Sequence, residues 1–354
     1  MFSLFCIGAG TKVRTTQKAY KTTTKKDLHS SCEDYDALKY LNQYNLITLR
    51  DLSTNSDVEF KTLVCGKLAS SASANFGIHA DQLSLRPLSA VLELAQSVTA
   101  GSAINVQRGS VTLGQSTDQI VKNGNVPYVV NGNRPFNING GNDGARISYD
   151  ATLLKKCEHI SNELEELSKL LAKRTPNNVV TIPNYQPGPL IFNVVSKDAD
   201  GFAFFTVPNG DAIFHNSKVQ QIEVKNDEGK ASVIVINVPG KSVTFDQGNI
   251  VGSLTESSLR SRVLFNFYEA EQINMQRNFM GALLAPFANV QTNANIDGAT
   301  AVESLTTTSE LHKPQFVIPE CVELTTRPQK TRKEFFKRTI FLFDLCSIVS
   351  TRRF

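Results

Sequence analysis

The chain has 354 residues, of which 41% are hydrophobic, enough for a real core, so wholesale disorder is excluded. The net charge of +4 is gathered at the two ends: Lys12, Arg14, Lys18, Lys21, Lys25 and Lys26 near the start, and Arg327, Lys330, Arg332, Lys333, Lys337, Arg338, Arg352 and Arg353 near the finish. The near-neutral centre argues against nucleic-acid binding through the core, which needs a basic face.

Residues 1–40 are basic and rich in Thr and Lys, with Lys21–Lys26 reading KTTTKK, and lack the apolar surface to order themselves. Met1–Ala9 is apolar but has no basic residues before it, so a signal peptide is not clear. Six cysteines, Cys6, Cys32, Cys65, Cys157, Cys321 and Cys346, include no pair at metal-ligand spacing and no CxxC. A Cys32–Cys321 bridge is conceivable, whereas Cys65 and Cys157 fall on apolar positions and read as small core residues.

From Asn45 the texture changes to short apolar or alternating runs separated by Asn, Gly, Asp and Ser. They are Asn45–Leu49, Thr62–Cys65, Ala103–Val106, Ser110–Leu113, Tyr128–Val130, Phe202–Val207 and Val219–Val224, then Ser232–Val238, Ser242–Phe245, Arg262–Phe267, Gly281–Ala285 and Ala299–Val302. Their β-branched and aromatic content predicts strands. Leu46 and Leu63 stand in similar contexts, as do Leu264, Ala282 and Ala299, giving a period of 17 to 18 residues. Three strands of four or five residues fit one coil of that length, at about 3.3 Å per residue. A single coil cannot bury its own inside, so coils must stack, with Asn and Gly supplying left-handed backbone at the corners. A β-sandwich would also give short strands, but with Greek-key connections and cleaner alternation.

Asp150–Arg174 breaks this pattern. Leu153, Cys157, Ile160, Leu164, Leu167 and Leu171 recur in steps of 4 and 3, which predicts one apolar stripe on a helix about 30 Å long. Asp150 is the candidate N-cap and Pro176 the stop. Thr339–Ser350 is apolar but too short for a bilayer span, which takes roughly 20 residues; with basic flanks it could lie on a membrane surface.

No catalytic constellation emerges. His29, His79, His159, His215 and His312 are scattered, with no HExxH, P-loop or GxSxG. Asn139–Gly144 (NGGNDG) lacks the Lys-Ser/Thr ending of a phosphate loop and reads as a turn. Asp198, Asp200 and Asp211 miss calcium-loop spacing. For a polysaccharide-cleaving β-helix, Asp246, Glu256, Asp297 and Glu303 come from different coil positions with no repeated pairing. Trp is absent, leaving Tyr128, Tyr185 and Tyr268 as weak sugar-stacking candidates. Ice binding would call for repeated Thr-x-Thr, and only Thr306–Thr308 hints at it.

Asn45–Leu68 (NLITLRDLSTNSDVEFKTLVCGKL) resembles the opening of the choice-of-anchor A domain. Arg262–Phe267, Gly281–Pro286, Ala288–Val290 and Asn295–Glu303 resemble its closing coils, and Ser309–His312 (SELH) its usual end. Phe60-Lys61 and Cys65-Gly66-Lys67 depart from the family's Gly-Arg and Gly-Gly-Asn, which puts turn geometry there in question. The resemblance implies an adhesin-like domain, related in architecture to ice-binding β-helices, with no catalytic residues.

The expectation is therefore a mainly β fold: a right-handed parallel β-helix over residues 41–313 with one long inserted helix, 150–174, packed alongside, between a flexible segment 1–40 and a basic tail 314–354. The expected function is non-catalytic, adhesin-like or structural, at the cell surface or secreted, without metal or cofactor. Expected partners are extracellular matrix, cell-wall polysaccharide or a surface glycoprotein, with membrane-surface contact open to the C-terminal tail. A carbohydrate-active β-helical enzyme and an ice-binding protein are the alternatives.

Overall fold

A computed structural model describes residues 33–80, 90–99, 102–114, 120–123, 126–130, 134–138 and 147–318. The Asn139–Gly144 turn, the Thr339–Ser350 stretch, the basic stretches Lys12–Lys26 and Arg327–Arg353, and a Cys32–Cys321 bridge lie outside the described residues.

Short parallel strands stack into a three-sided β-helix. In one coil, Val263–Asn266 lies on the first side, Gln272–Met275 on the second and Phe279–Met280 on the third. The next coil begins with Ala282, directly over Leu264, 18 residues on, and the one after places Thr300 over Leu283, 17 on. The period is real there, but the Leu46–Leu63 equivalence is not. Leu46 pairs with Thr62, and Ile47 with Leu63, an offset of 16. Leu46 points into the coil and Leu63 to its outside, so the two leucines do different jobs. Each predicted strand coincides with a strand of the structure.

The coils are not stacked in sequence order. The first side runs, by strand, Ile147–Tyr149, Ser110–Leu113, Ala90–Leu94, Thr62–Val64, Leu46–Thr48, Thr300–Thr307, Ala282–Thr292, Val263–Asn266, Val233–Asn237 and Phe202–Thr206. The chain thus starts in the middle, coils outward to one end, crosses to the opposite end, and coils back until Thr300, Ala301 and Val302 dock on Leu46, Ile47 and Thr48. This seam continues on the other two sides, where Leu305–Thr307 pairs with Leu52–Thr54 and Leu311 with Val58.

Crossing from end to end is the task of the helix. α2, Leu153–Ala172, is about 30 Å long and buries all six stripe residues on the first side. That side is consequently covered on both faces, and Val233–Asn237 is buried at every position. The expected insertion is thus the connector between two half-solenoids. Asp150 Oδ1 accepts the Thr152 N–H at 2.8 Å, capping the turn that leads into the helix, while Thr152 itself makes no side-chain cap. A short helix, α1 (Leu38–Gln43), packs beside it with Leu38, Tyr40 and Leu41 buried. Beyond the coils Phe316 is also buried, and its N–H bonds to the Leu41 carbonyl.

Specific bonds lock α2 to both halves. On the first half, Cys157 and Cys65 are buried, as expected of small core residues, and are joined in a disulfide that the sequence did not reveal. Beside it Lys156 meets Glu93 and Tyr44, and Tyr40 donates to Glu163. On the second half, Asn266 Nδ2 donates to the Ser168 carbonyl and to Asn237 Oδ1, both at 2.9 Å. Asn237 Nδ2 then reaches the Leu171 carbonyl near the helix end at 2.9 Å. These amides are fully buried and need such partners.

Corners depend on two separate devices. Positive φ belongs to glycines and, among the described residues, to one other, Glu228, so asparagine does not supply left-handed backbone as expected. It acts through its side chain instead: Asn55 Oδ1 accepts from Ser71 and Ala72, and Asn226 closes a loop by bonding Ala231 both ways. Gly298 (φ 148°) shows why glycine is required, since a Cβ there would sit 2.2 Å from the Gly281 carbonyl oxygen. At the family departure Cys65-Gly66-Lys67, Gly66 keeps the tight turn; a Cβ would meet Asp51 Oδ1 at 2.3 Å.

At the seam's third side, His312 is held between two carboxylates, Nδ1 to Asp297 and Nε2 to Glu310, each at 2.6 Å. Arg260 approaches Asp297 at 3.7 Å, and Glu59, on the facing coil, is held by the Lys313 N–H and by His79 at 3.8 Å. Partial burial disfavours the charged ring, but the bonds from Glu310 and Asp297 and the charges of Asp297 and Glu59 outweigh it, so the His312 pKa is raised.

Three outcomes follow from these contacts. Replacing both Cys65 and Cys157 by Ala removes a cross-link spanning 92 residues and lowers unfolding free energy by about 2–5 kcal/mol in urea titration. Ser168 Oγ donates to Asn266 Oδ1 at 2.6 Å, so Asn266→Ala orphans that buried hydroxyl and costs about 1–3 kcal/mol by the same assay. Because the folded pKa of His312 is raised, its contribution is complete below the ordinary value of about 6.5 and is lost as pH rises through the folded value. The melting temperature of the wild type therefore falls relative to His312→Gln above about pH 6.5, and parallel curves would refute the clasp.

Candidate functional site

The second side is where side chains face solvent in register. Four strands share one local pattern, a polar residue, a buried aliphatic and another polar residue: Ser242-Val243-Thr244, Gln272-Ile273-Asn274, Asn289-Val290-Gln291 and Ser304-Leu305-Thr306. Alternation at period two sends the aliphatics inward and the polar pairs outward. Parallel pairing then aligns them, forming one outward row of Ser242, Gln272, Asn289 and Ser304. A second row holds Thr244, Asn274, Gln291 and Thr306, and crosses the seam to Ser53 and Ala69. Neighbouring positions along a row are about 4.8 Å apart, and the two rows about 7 Å apart.

None of these row residues carries a charge, and charged residues stand at the margin. Lys241 and Glu271 pair with each other at 2.8 Å just before the first row, and Asp51, which continues that row past the seam, accepts the Lys67 N–H. Among the described residues, the amides of Gln272, Asn274, Asn289 and Gln291 have no protein hydrogen-bond partner.

The third side offers a contrast. Asn278, Asn295, Glu310, Asp57, Asn75 and Asn105 also align across the seam, but this column is bonded to itself. Asn278 accepts the Asn295 N–H and Asn295 the Glu310 N–H, at 3.1 and 3.2 Å. Asn75 donates to Asp57 at 2.6 Å and Asn105 to Asn75 at 3.0 Å.

The residues weighed for catalysis are dispersed. Asp246 pairs with His215 at 2.7 Å, Asp297 is engaged by His312, Glu256 lies just before a short helix, Ser257–Arg260, and Glu303 sits at the margin of the first row. Asp198 Oδ1 accepts from the Asp200 and Phe202 N–H groups and closes a turn, whereas Asp211 Oδ1 accepts the N–H of Thr244, 33 residues on, and ties two coils together. Among the described residues no group of three or more His, Cys, Asp or Glu is placed to hold a metal. His159 is exposed and 3.4 Å from Glu163. Tyr185 is 86% exposed on the approach to the strand Gly188–Asn193, whereas Tyr268 lies at a corner after Asn266, so they do not form a stacking platform. Of Thr306–Thr308, Thr306 faces out and Thr307 in.

The two rows were not foreseen from the sequence. Their signal was the recurring polar-aliphatic-polar triplet, hidden because its members change between Ser, Thr, Asn and Gln.

The profile of a family described as an ice-binding-like adhesive domain matches residues 37–313. No curated protein matches the chain. Among solved structures, a glycosylated ice-binding protein from an Arctic yeast is 11% identical, with 81% of this chain and 97% of that chain covered and a TM-score of 0.33. An ice-binding protein from an Antarctic biological consortium is 12% identical, with 87% and 94% covered and a TM-score of 0.25. An ice-binding protein domain of Shewanella frigidimarina is 12% identical, with 77% and 96% covered and a TM-score of 0.25. Likenesses this distant carry no argument about what the present chain binds. The family match covers the whole stack of coils, and the chain belongs to the ice-binding-like adhesive domain family.

Proposed function

We propose that this protein is a secreted or cell-surface adhesin that binds through the second side of its β-helix and performs no catalysis. The observation that carries the reading is the pair of uncharged rows, whose amides have no protein partner among the described residues. A rigid stack holds such groups at fixed intervals, so many weak contacts sum. The Cys65–Cys157 disulfide supports an oxidising compartment, where such bonds persist. The closing-coil motifs support kinship with choice-of-anchor A domains. Matrix, cell-wall polysaccharide and surface glycoprotein remain the partner classes for such a surface.

A carbohydrate-active enzyme is the competing reading, favoured only by the Asp297–His312–Glu310 group. In that group both carboxylates are bound to the imidazole instead of facing each other across a substrate cleft.

Beads coated with the Asn274→Lys/Gln291→Lys variant should adhere to cells of the native source at least about tenfold less than wild-type beads, with an unchanged melting temperature. Undiminished adhesion would remove the second side from the reading. Cleavage of a polysaccharide panel by wild type, abolished in Glu310→Gln, would establish the enzyme instead. A mature N-terminus produced by cleavage before about residue 30 in native material is the expected mark of secretion.

A further inference from the structure

We propose that the ligand of the second side is a neutral polysaccharide, whose chains lie across the two rows and exchange hydroxyl hydrogen bonds with them. This rests on the reading of that side as the binding surface. It narrows the ligand by three independent observations.

The first is hydrogen-bonding capacity. Gln272, Asn274, Asn289 and Gln291 each present an amide that both donates and accepts, flanked by the hydroxyls of Ser242, Thr244, Ser304, Thr306 and Ser53. Sugar hydroxyls are donors and acceptors as well, so every such group finds a complement whichever way the polymer runs. The third side also presents asparagines, together with Asp57 and Glu310, but its column is bonded to itself. The amides of the second side are instead left open to a ligand.

The second is charge. From Ser242 to Ser304 and from Thr244 to Ser53 no row residue is ionisable; the charges beside them are the self-neutralising Lys241–Glu271 pair and the carboxylates of Glu303 and Asp51. A polyanion such as a uronate polymer would lack cations to meet it. A protein partner would lack the aromatic or Arg anchors that concentrate interface energy.

The third is irregularity. Thr244 and Thr306 are the threonines of the second row, and Asn274 and Gln291, side chains of different length, separate them. A mixed row of this kind suits a flexible polyol, which adjusts its hydroxyls to each position. Each exchange of water for a sugar hydroxyl gains little, so binding depends on chain length, and single sugars compete poorly.

The test is co-sedimentation of the full chain with insoluble cellulose, insoluble chitin and cross-linked polygalacturonate at low and high salt, alongside partition into growing ice. The expected result is retention on cellulose or chitin that is insensitive to salt, and at least about tenfold weaker for Asn274→Lys/Gln291→Lys, with Lys155→Gln, on the exposed flank of α2, retained like wild type. Salt-sensitive retention on polygalacturonate alone, or partition into ice without retention on either neutral polymer, overturns the proposal. If neither neutral polymer retains the protein while bead adhesion to native cells still depends on Asn274 and Gln291, the ligand class is wrong and the surface assignment survives. If retention on a neutral polymer is equal in wild type and double variant, the surface assignment itself fails.

Discussion

The attachment of α2 to both halves of the solenoid is the constraint on which the rest depends. The chain enters the stack in its middle and must be carried from one end to the other before its last coils can be laid down. A helix rises about 1.5 Å per residue, so 20 residues cover most of that distance without a structureless crossing. Its apolar stripe buries the outer face of the first side, and only with both faces covered can strands such as Val233–Asn237 be buried throughout. The disulfide at Cys157 and the Asn237–Asn266 pair fix the helix at two separated points. The two half-stacks are thereby presented to one another in register, which the seam needs.

With one side sealed by the helix, the other two divide the remaining roles. The third side consolidates the stack, since its asparagine column and the His312 clasp tie neighbouring coils together. Among the described residues the row amides of the second side make no such cross-ties; its backbone ladder and the buried Val243, Ile273, Val290 and Leu305 hold it. Its outward amides are therefore left facing solvent.

Much of this was legible in the sequence wherever the signal is local. The stripe from Leu153 to Leu171 and the short β-branched runs report directly on a helical face and on strands, because side-chain periodicity follows from backbone geometry. The 17- to 18-residue repeat of the closing coils was visible for the same reason. What could not be read concerns positions far apart in the chain. Leu46 stacking on Thr300 and Cys65 bonding Cys157 have no local trace. The false equivalence of Leu46 and Leu63 arose because both are buried, one inward and one under the helix, and burial on both faces erases the alternation that would separate them. The polar rows of the second side escaped because they repeat in character along the stack and not in residue identity.

The seam also determines how the domain would carry load. The Phe316 N–H bonds the Leu41 carbonyl, and Asn42 Nδ2 donates to the Phe316 carbonyl at 2.8 Å. The strands that follow and precede these points are the seam partners Leu46–Thr48 and Thr300–Thr307. A tether on either flank therefore pulls at the waist of the stack, and tension between the flanks falls on the seam while the outer coils stay out of the force path. A tethered domain of this kind would be strained at its centre, and its distal coils would keep their shape under a pull that would unravel a solenoid held by its tips.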